Sequence, residues 1–353
     1  MRAEPAHAHP LLVQVLPPGQ GGVFDYMQCL QTEWSALGVA SHAISLSKEL
    51  ARQRSLADRI DDHAADVLQP CSVVLHFSGY GYGQRGLCFW LLDELRALRA
   101  RGRGGLRLVV VFHELFATGP PWRSAFWLSQ VQALIARRLA RMSDALWTNT
   151  NQHARWLRAA VGSSRQIVVR PVFSNIGEPL ASPPTTGRRP TAVVFGSAST
   201  RQRAFDALRG HETTLRRLGI EELVEAGNGA MSKGTPTAIA CRHAGRLDPP
   251  ELRQLLLDSR FGLLDYPSTF LGKSGVFAAC AAHGCVVIDT SPPGPDTDGL
   301  VAGTDYLSLP AMAGALSPPA AHSAMAARLM HWYADHRLAG QARDLLALAV
   351  ASS

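Results

Sequence analysis

Lysine is almost missing from this sequence: of 35 basic side chains, only Lys48, Lys233 and Lys273 are not arginine. A bias that strong reflects the base composition of the gene, and it makes Lys273, inside a glycine-rich turn, stand out. Also lacking is any apolar run near the roughly 18–20 residues of a membrane span. The opening MRAEPAHAHP leads into a strand-like segment rather than an apolar h-region, so no secretory leader is expected. The six cysteines, Cys29, Cys71, Cys88, Cys241, Cys280 and Cys285, form no CxxC pair. That removes the usual spacing for zinc or for a disulfide framework. The expectation is a reduced, cytoplasmic protein without a metal.

What is present is a chain of 353 residues, 46% hydrophobic, enough for two domains of ordinary size. Its net charge of +7 is uneven. Residues 1–175 carry 19 Lys and Arg against 12 Asp and Glu, while the remainder balances at 16 against 16. Much of the excess lies in RALRARGRGGLR (96–107) and IARRLARM (135–142). Such runs are either solvated helix faces or a surface for an acidic acceptor or anionic lipid headgroups. The second reading makes the protein peripheral on the inner face of a membrane, with salt-sensitive binding to anionic liposomes. No zinc finger, RNP-type motif or aromatic–basic interleaving is present, so nucleic acid is not an expected partner.

Apolar runs alternate with helical stripes along the whole chain. LLVQVLP (11–17), VASHAISL, SVVLHF (72–77), LRLVVVFHE (106–114), ALWTNT and QIVVRPV read as strands separated by helices. SNIGEPLASPPTTGRRP (174–190) is a linker by composition. The alternation then restarts with TAVVFGS (191–197), a helix over about 200–218, TAIACRHAG, the helix PPELRQLLLDS, RFGLLDYP and CVVIDT. Two final helices close the chain. β-Branched strands alternating with helices predict parallel sheets covered on both faces. The fold class is therefore α/β, with two Rossmann-like doubly wound domains facing a cleft. The domains are placed at residues 1–175 and 176–320, with C-terminal helices over 321–353 packing back toward the first.

YPSTFLGKSGVFAACAAHGCVVID (266–289) contains Gly272-Lys273-Ser274, the tail of a P-loop. The full motif needs a glycine where Pro267 stands, so the P-loop reading fails. A glycine turn opening a helix remains, and its unpaired N–H groups suit an anion that Lys273 can reach. VVVFHELF ends a strand with His113-Glu114, a candidate catalytic pair; HExxH is excluded because residue 117 is alanine. GQGG (19–22) offers close backbone approach at Gly21 and Gly22. Gly81-x-Gly83-x-x-Gly86 follows a strand and precedes a helix, which matches a dinucleotide fingerprint and supports an NAD(P)-dependent oxidoreductase as the alternative.

The order PPGQGG, HEL, linker, VVFGS and then LLLDSRFGLLDYPSTFLGKSGVFAACAAHGCVVID resembles the GT-B glycosyltransferases, in particular family-4-like retaining enzymes. The resemblance implies a metal-independent enzyme that takes its sugar from a nucleotide-diphosphate sugar and passes it to a glycan or lipid-linked acceptor, with no other cofactor. It implies donor contacts from Gly196, Ser197, Arg201, Arg203, Gly272, Lys273, Ser274 and Gly275, with His113 facing the donor sugar. Gly21, Gly22, Tyr80 and Tyr82 fall on the acceptor side, the tyrosines as stacking platforms. The family also carries two glutamates eight positions apart, where this chain has Leu271 and Ala279. Sugar and ribose contacts are thus missing or supplied elsewhere, and a degenerate transferase acting as a binding protein is the non-enzymatic alternative.

Overall fold

A strand covered on both faces needs nearly unbroken apolar sequence. LLVQVL supplies it, and all six residues of β1 (Leu11–Leu16) are buried. The computed structural model describes residues 10–64, 70–102, 105–117, 124–181, 183–234, 238–294, 298–312 and 319–351. The first nine residues, including most of the segment read for a leader, lie outside that set. So do residues 103 and 104 of the basic stretch at 96–107.

The chain divides into two units, one holding residues up to Arg170 together with those from Leu338 onward, the other Pro171–Arg337. In the first, β1 is joined by β2 (Ser41–Ser45), β3 (Cys71–Phe77), β4 (Leu106–Phe112), β5 (Ala145–Thr148) and β6 (Gln166–Val169). Their order is β2-β1-β3-β4-β5-β6, and every pairing is parallel. The second holds β7 (Arg189–Phe195), β8 (Glu222–Ala226), β9 (Ala240–Gly245), β10 (Ser259–Leu264), β11 (Val286–Asp289) and β12 (Leu307–Ser308). It too is parallel throughout, in the order β12-β11-β10-β7-β8-β9. Each sheet winds outward in both directions from its first strand. The reversal opens a crevice at the carboxyl ends of β1 and β3 in one unit, and of β7 and β10 in the other.

Three details differ from the sequence reading. β8 and β12 were not foreseen, and the helix expected over about 200–218 is two, Ala198–Ala207 and Glu212–Arg217. β8, ELVEA, carries glutamate at two of its five positions, which hides its strand character until Glu225 is seen buried and paired. The two terminal helices also part company: Pro319–Ala334 stays with the second unit, while Leu338–Val350 belongs to the first.

That last helix is held by donors to its carbonyls, two of them at the C-terminal end, where no helix can satisfy them internally. Arg107 donates to Leu348 O at 2.7 Å and Ser72 to Ala349 O at 2.8 Å. Trp34, fully buried on the helix Gly22–Ala36, donates its indole N–H to Ala342 O at 2.8 Å.

Candidate functional site

At the switch point of the second sheet, two separately recognised segments converge. β7 ends in Gly196-Ser197, and Ser197 caps the helix Ala198–Ala207 by accepting from Thr200 N. β10 runs into a 3₁₀ turn, Ser268–Lys273, followed by the helix Gly275–Ala282. Gly196 has φ +116, and a Cβ there would lie 3.2 Å from Val276 Cγ2 in the first turn of that helix. Only glycine meets both demands, the left-hand φ and the close approach. The glycine turn is also tied to the start of the unit, where Val172 N donates to Gly272 O at 2.7 Å.

Of the predicted donor residues, Gly196, Ser197, Gly272, Lys273, Ser274 and Gly275 therefore lie in one neighbourhood. Ser274 caps its helix by accepting from Phe277 N at 3.2 Å, which leaves the hydroxyl proton for a ligand. Lys273 is half-buried, its ammonium 5.5 Å from the centroid of Phe270. Arg203 is exposed and reaches across to the loop after β10, with Nε 3.6 Å from Asp265 Oδ1.

Arg201 does not belong to this set. Its side chain is 1% exposed, and its guanidinium donates to Glu225 Oε1 at 2.8 Å, to Gly196 O at 2.7 Å and to Asn228 O at 2.7 Å. Glu225, itself fully buried, also accepts from Ser232 N and Ser232 Oγ. Burial pushes the Glu225 carboxyl up, but the Ser232 and Arg201 hydrogen bonds outweigh it and hold the group below the usual carboxylate range. Gly227, at φ +152, makes room for the guanidinium, since a Cβ there would fall 2.0 Å from Arg201 Nη1. The difference has a simple cause: the buried guanidinium is committed to Glu225, Gly196 and Asn228, so Arg201 braces the carbonyl of Gly196 and positions the turn.

Beneath the loop after β10 lies a second buried carboxylate. Asp289, at the end of β11, accepts from Tyr266 N, Ser291 N and Ser291 Oγ. Burial pushes it up to about 6 against those hydrogen bonds, with Asp265 adding to the rise. An acid raised in the folded state holds its proton there over the window from about 4 to about 6, while the unfolded chain has released it. Its contribution to stability therefore falls as pH rises through that window, by about 3 kcal/mol at ~1.4 kcal/mol per unit. Asp289→Asn keeps both backbone acceptances and is expected to abolish this loss. Thermal melts at pH 4.5 and 7.5 check it: the variant should gain on the parent only at the higher pH, and equal pH dependence in both proteins would contradict the assignment.

In the first unit, the crevice between β1 and β3 is lined by a relay that sequence reading saw only in part. His113, just past β4, is 9% exposed, and its Nε2 lies 3.2 Å from His76 Nδ1 on β3. His76 Nε2 lies 3.1 Å from Gln14 Oε1 on β1, whose amide nitrogen faces Ser41 Oγ. Burial pushes the His76 imidazole down to about 3, so it is neutral. With Gln14 accepting from Nε2–H, His76 Nδ1 must accept, and His113 donates through Nε2–H. Tyr26 packs edge-on against His113, ring centroids 5.0 Å apart. Glu114 is exposed and accepts from Ser78 Oγ at 3.0 Å. Gln14 and His76 were missed, although a polar residue inside LLVQVL or SVVLHF is the kind of exception that carries information.

Gly21, at φ +146, starts the helix Gly22–Ala36 with no side chain capping it. Tyr80 is half exposed and accepts from Gln132 Nε2 at 3.3 Å. Tyr82, expected as a stacking platform, is instead core: it is 3% exposed, packs on Phe77 and Trp90, and donates to Val15 O. The dinucleotide fingerprint dissolves for a related reason. In such a site the glycines open the N-terminus of the crossover helix. Here a separate helical turn, Gly79–Tyr82, intervenes, and the crossover helix begins only at Phe89. A Cβ on Gly81 would strike Pro17 at 2.7 Å, and one on Gly83 would strike Leu87 O at 2.5 Å. These glycines serve packing.

Leu271 and Ala279, where the resembling family has its glutamates, are fully buried. No three His, Cys, Asp or Glu side chains among the described residues cluster as a metal would need. No helix among them is long and apolar enough to cross a membrane.

Two all-parallel six-stranded sheets with flanking helices are the architecture of the GT-B glycosyltransferases, and the chain has that fold. It is similar to α,α-trehalose 6-phosphate synthase from Burkholderia multivorans, with TM-score 0.57 and 12% identity, covering 96% of this chain and 98% of that one. It is also similar to the lipopolysaccharide outer core galactosyltransferase WaaB, with TM-score 0.52, 12% identity, and coverage of 96% and 98%. A third likeness is to an α-glucosyltransferase in complex with UDP-glucose and DNA containing an abasic site, with TM-score 0.51, 11% identity, and coverage of 98% and 95%. At such identities the likeness is one of fold. No protein-family model and no curated protein matches the sequence.

Proposed function

We propose that this protein is a glycosyltransferase that moves a sugar from a nucleotide-diphosphate sugar to a glycan or lipid-linked acceptor, with retention and without a metal. The observation that carries the reading is the close packing of Gly196 on Val276, which sets the β7 turn against the start of the helix Gly275–Ala282 beside Lys273. Sugar transfer requires that the charge growing on the leaving diphosphate be stabilised, and fixed amides and cations do this without a metal. Lys273, the first backbone N–H groups of the helix Gly275–Ala282 and Arg203 are assigned that task. His113, its tautomer set by His76 and Gln14, is assigned to the transferred sugar, and Glu114 is the neighbouring carboxylate available as a base. Structures of similar fold are named for UDP-glucose or UDP-forming activity, which makes uridine nucleotides the first donors to try.

A thermal-shift panel of UDP-, GDP- and ADP-sugars beside NAD(P)H tests the proposal. A nucleotide sugar at a hundred times its Kd is expected to stabilise the protein by about 2.7 kcal/mol, with no shift from NAD(P)H. The reverse pattern would sink the transferase reading in favour of the oxidoreductase.

A further inference from the structure

Away from the switch point, the amino-terminal edge of the second sheet holds a cavity of about 210 Å³. Thr185, Thr186, Arg260, Gly284, His322 and Ser323 are among its lining residues. Arg260 opens β10, Gly284 lies just before β11, and His322 is on the helix Pro319–Ala334. β10 rises about 3.3 Å per residue, which puts roughly 20 Å between Arg260 and Tyr266 at the other end. The cavity is therefore separate from the glycine turn.

Its most informative member is His322. The ring is 3% exposed, stands edge-on to Phe261, and neither of its nitrogens has a hydrogen-bond partner. Buried polar atoms rarely go unpaired. Burial, with Arg260 nearby, holds this imidazole below its ordinary value, so the ring is neutral and presents one donor and one acceptor. Arg260 is half-buried and pairs with no carboxylate among the described residues; one guanidinium nitrogen donates to Arg188 O at 3.4 Å. Arg188, buried beside Gly284, donates its guanidinium to carbonyl groups and to Cys285 Sγ, and places a second cation near the cavity. No carboxylate lines the cavity among the described residues.

We infer that this cavity is a binding site for a small phosphate-bearing ligand, held by Arg260, the Thr185 and Thr186 hydroxyls, and the N–H of His322. The chemistry matches at each point. Arg260 forks onto two phosphate oxygens. A third oxygen accepts from the imidazole N–H and the threonine hydroxyls. Phosphate offers three terminal oxygens to these donors, where a carboxylate offers two. The volume lies below the roughly 300–1,000 Å³ of pockets for drug-sized ligands, which suits phosphate with a few carbon atoms and excludes a nucleoside diphosphate.

The experiment follows the His322 ring signals in long-range ¹H–¹⁵N spectra, assigned by their loss in His322→Gln. Inorganic phosphate and glycerol phosphate are titrated at constant ionic strength, with excess UDP occupying any nucleotide site. Saturable shifts of the His322 signals are expected with at least one of the two. Tighter binding of glycerol phosphate marks a metabolite site, and equal or weaker binding marks a site for the free ion. Arg260→Gln should weaken the affinity by about tenfold or more, as loss of a charge-assisted pair does. Should that variant fail to fold, the double variant Thr185→Val with Thr186→Val reads the same loss. Ring signals that stay fixed under tens of millimolar of both ligands, or binding unchanged in a folded variant, overturn the inference.

Discussion

Lys273→Ala is expected to slow sugar transfer by about a hundredfold to a thousandfold, the range for removing one fixed group that stabilises charge developing in a transition state. The melting temperature should move by no more than about 2 °C, because a half-buried loop lysine over one phenyl ring contributes little to folding. The loss should fall mainly on kcat, since the leaving diphosphate gains its charge only as the bond breaks. Lys273→Arg keeps the charge but offers a planar fork in place of a compact ammonium, so partial rescue is expected. Steady-state kinetics on whichever donor stabilises the protein decides the matter. Unchanged turnover in the alanine variant removes Lys273 from the mechanism.

Arg201→Ala is expected to act on folding instead. It leaves Glu225 ionised and buried without its arginine partner, and strands the carbonyl groups of Gly196 and Asn228. Breaking a buried pair in this way costs about 3–5 kcal/mol, or roughly 10 °C of melting temperature for a unit of this size. Glu225→Leu combined with Arg201→Met should restore much of the stability, because the cost lies in the uncompensated charge more than in lost attraction. Calorimetry of the parent and the two variants tests this. If Arg201→Ala melted like the parent but no longer bound a nucleotide sugar, Arg201 would be a ligand contact after all, and the brace assigned to it would be wrong.

The two arginines show how far the sequence could be read. Both follow the β7 turn, and in the sequence alone each is an equal candidate for a diphosphate. Two positions on a helix differ by about 200° around its axis. One side chain had to turn inward if the other faced out, and the partner that decides which is Glu225, on a strand that its own glutamates concealed. The same applies to Tyr80 and Tyr82, where the second lies in the core and the first at the surface. The glycine turn and His113 were legible because glycine where backbone must approach closely, and histidine at a strand end, are local signals. The Gln14–His76–His113 relay was not, because it joins three strands that are neighbours only in the folded sheet.

The alternation of apolar runs and helical stripes was by itself enough to determine two parallel, doubly covered sheets, since a strand apolar on both faces can be satisfied by no other layering. Which polar side chains meet was decided only by tertiary structure. Burial sent Arg201, Tyr82 and His76 to partners that meet their hydrogen bonds, and those partners, Glu225, Val15 and Gln14, lie tens of residues away along the chain.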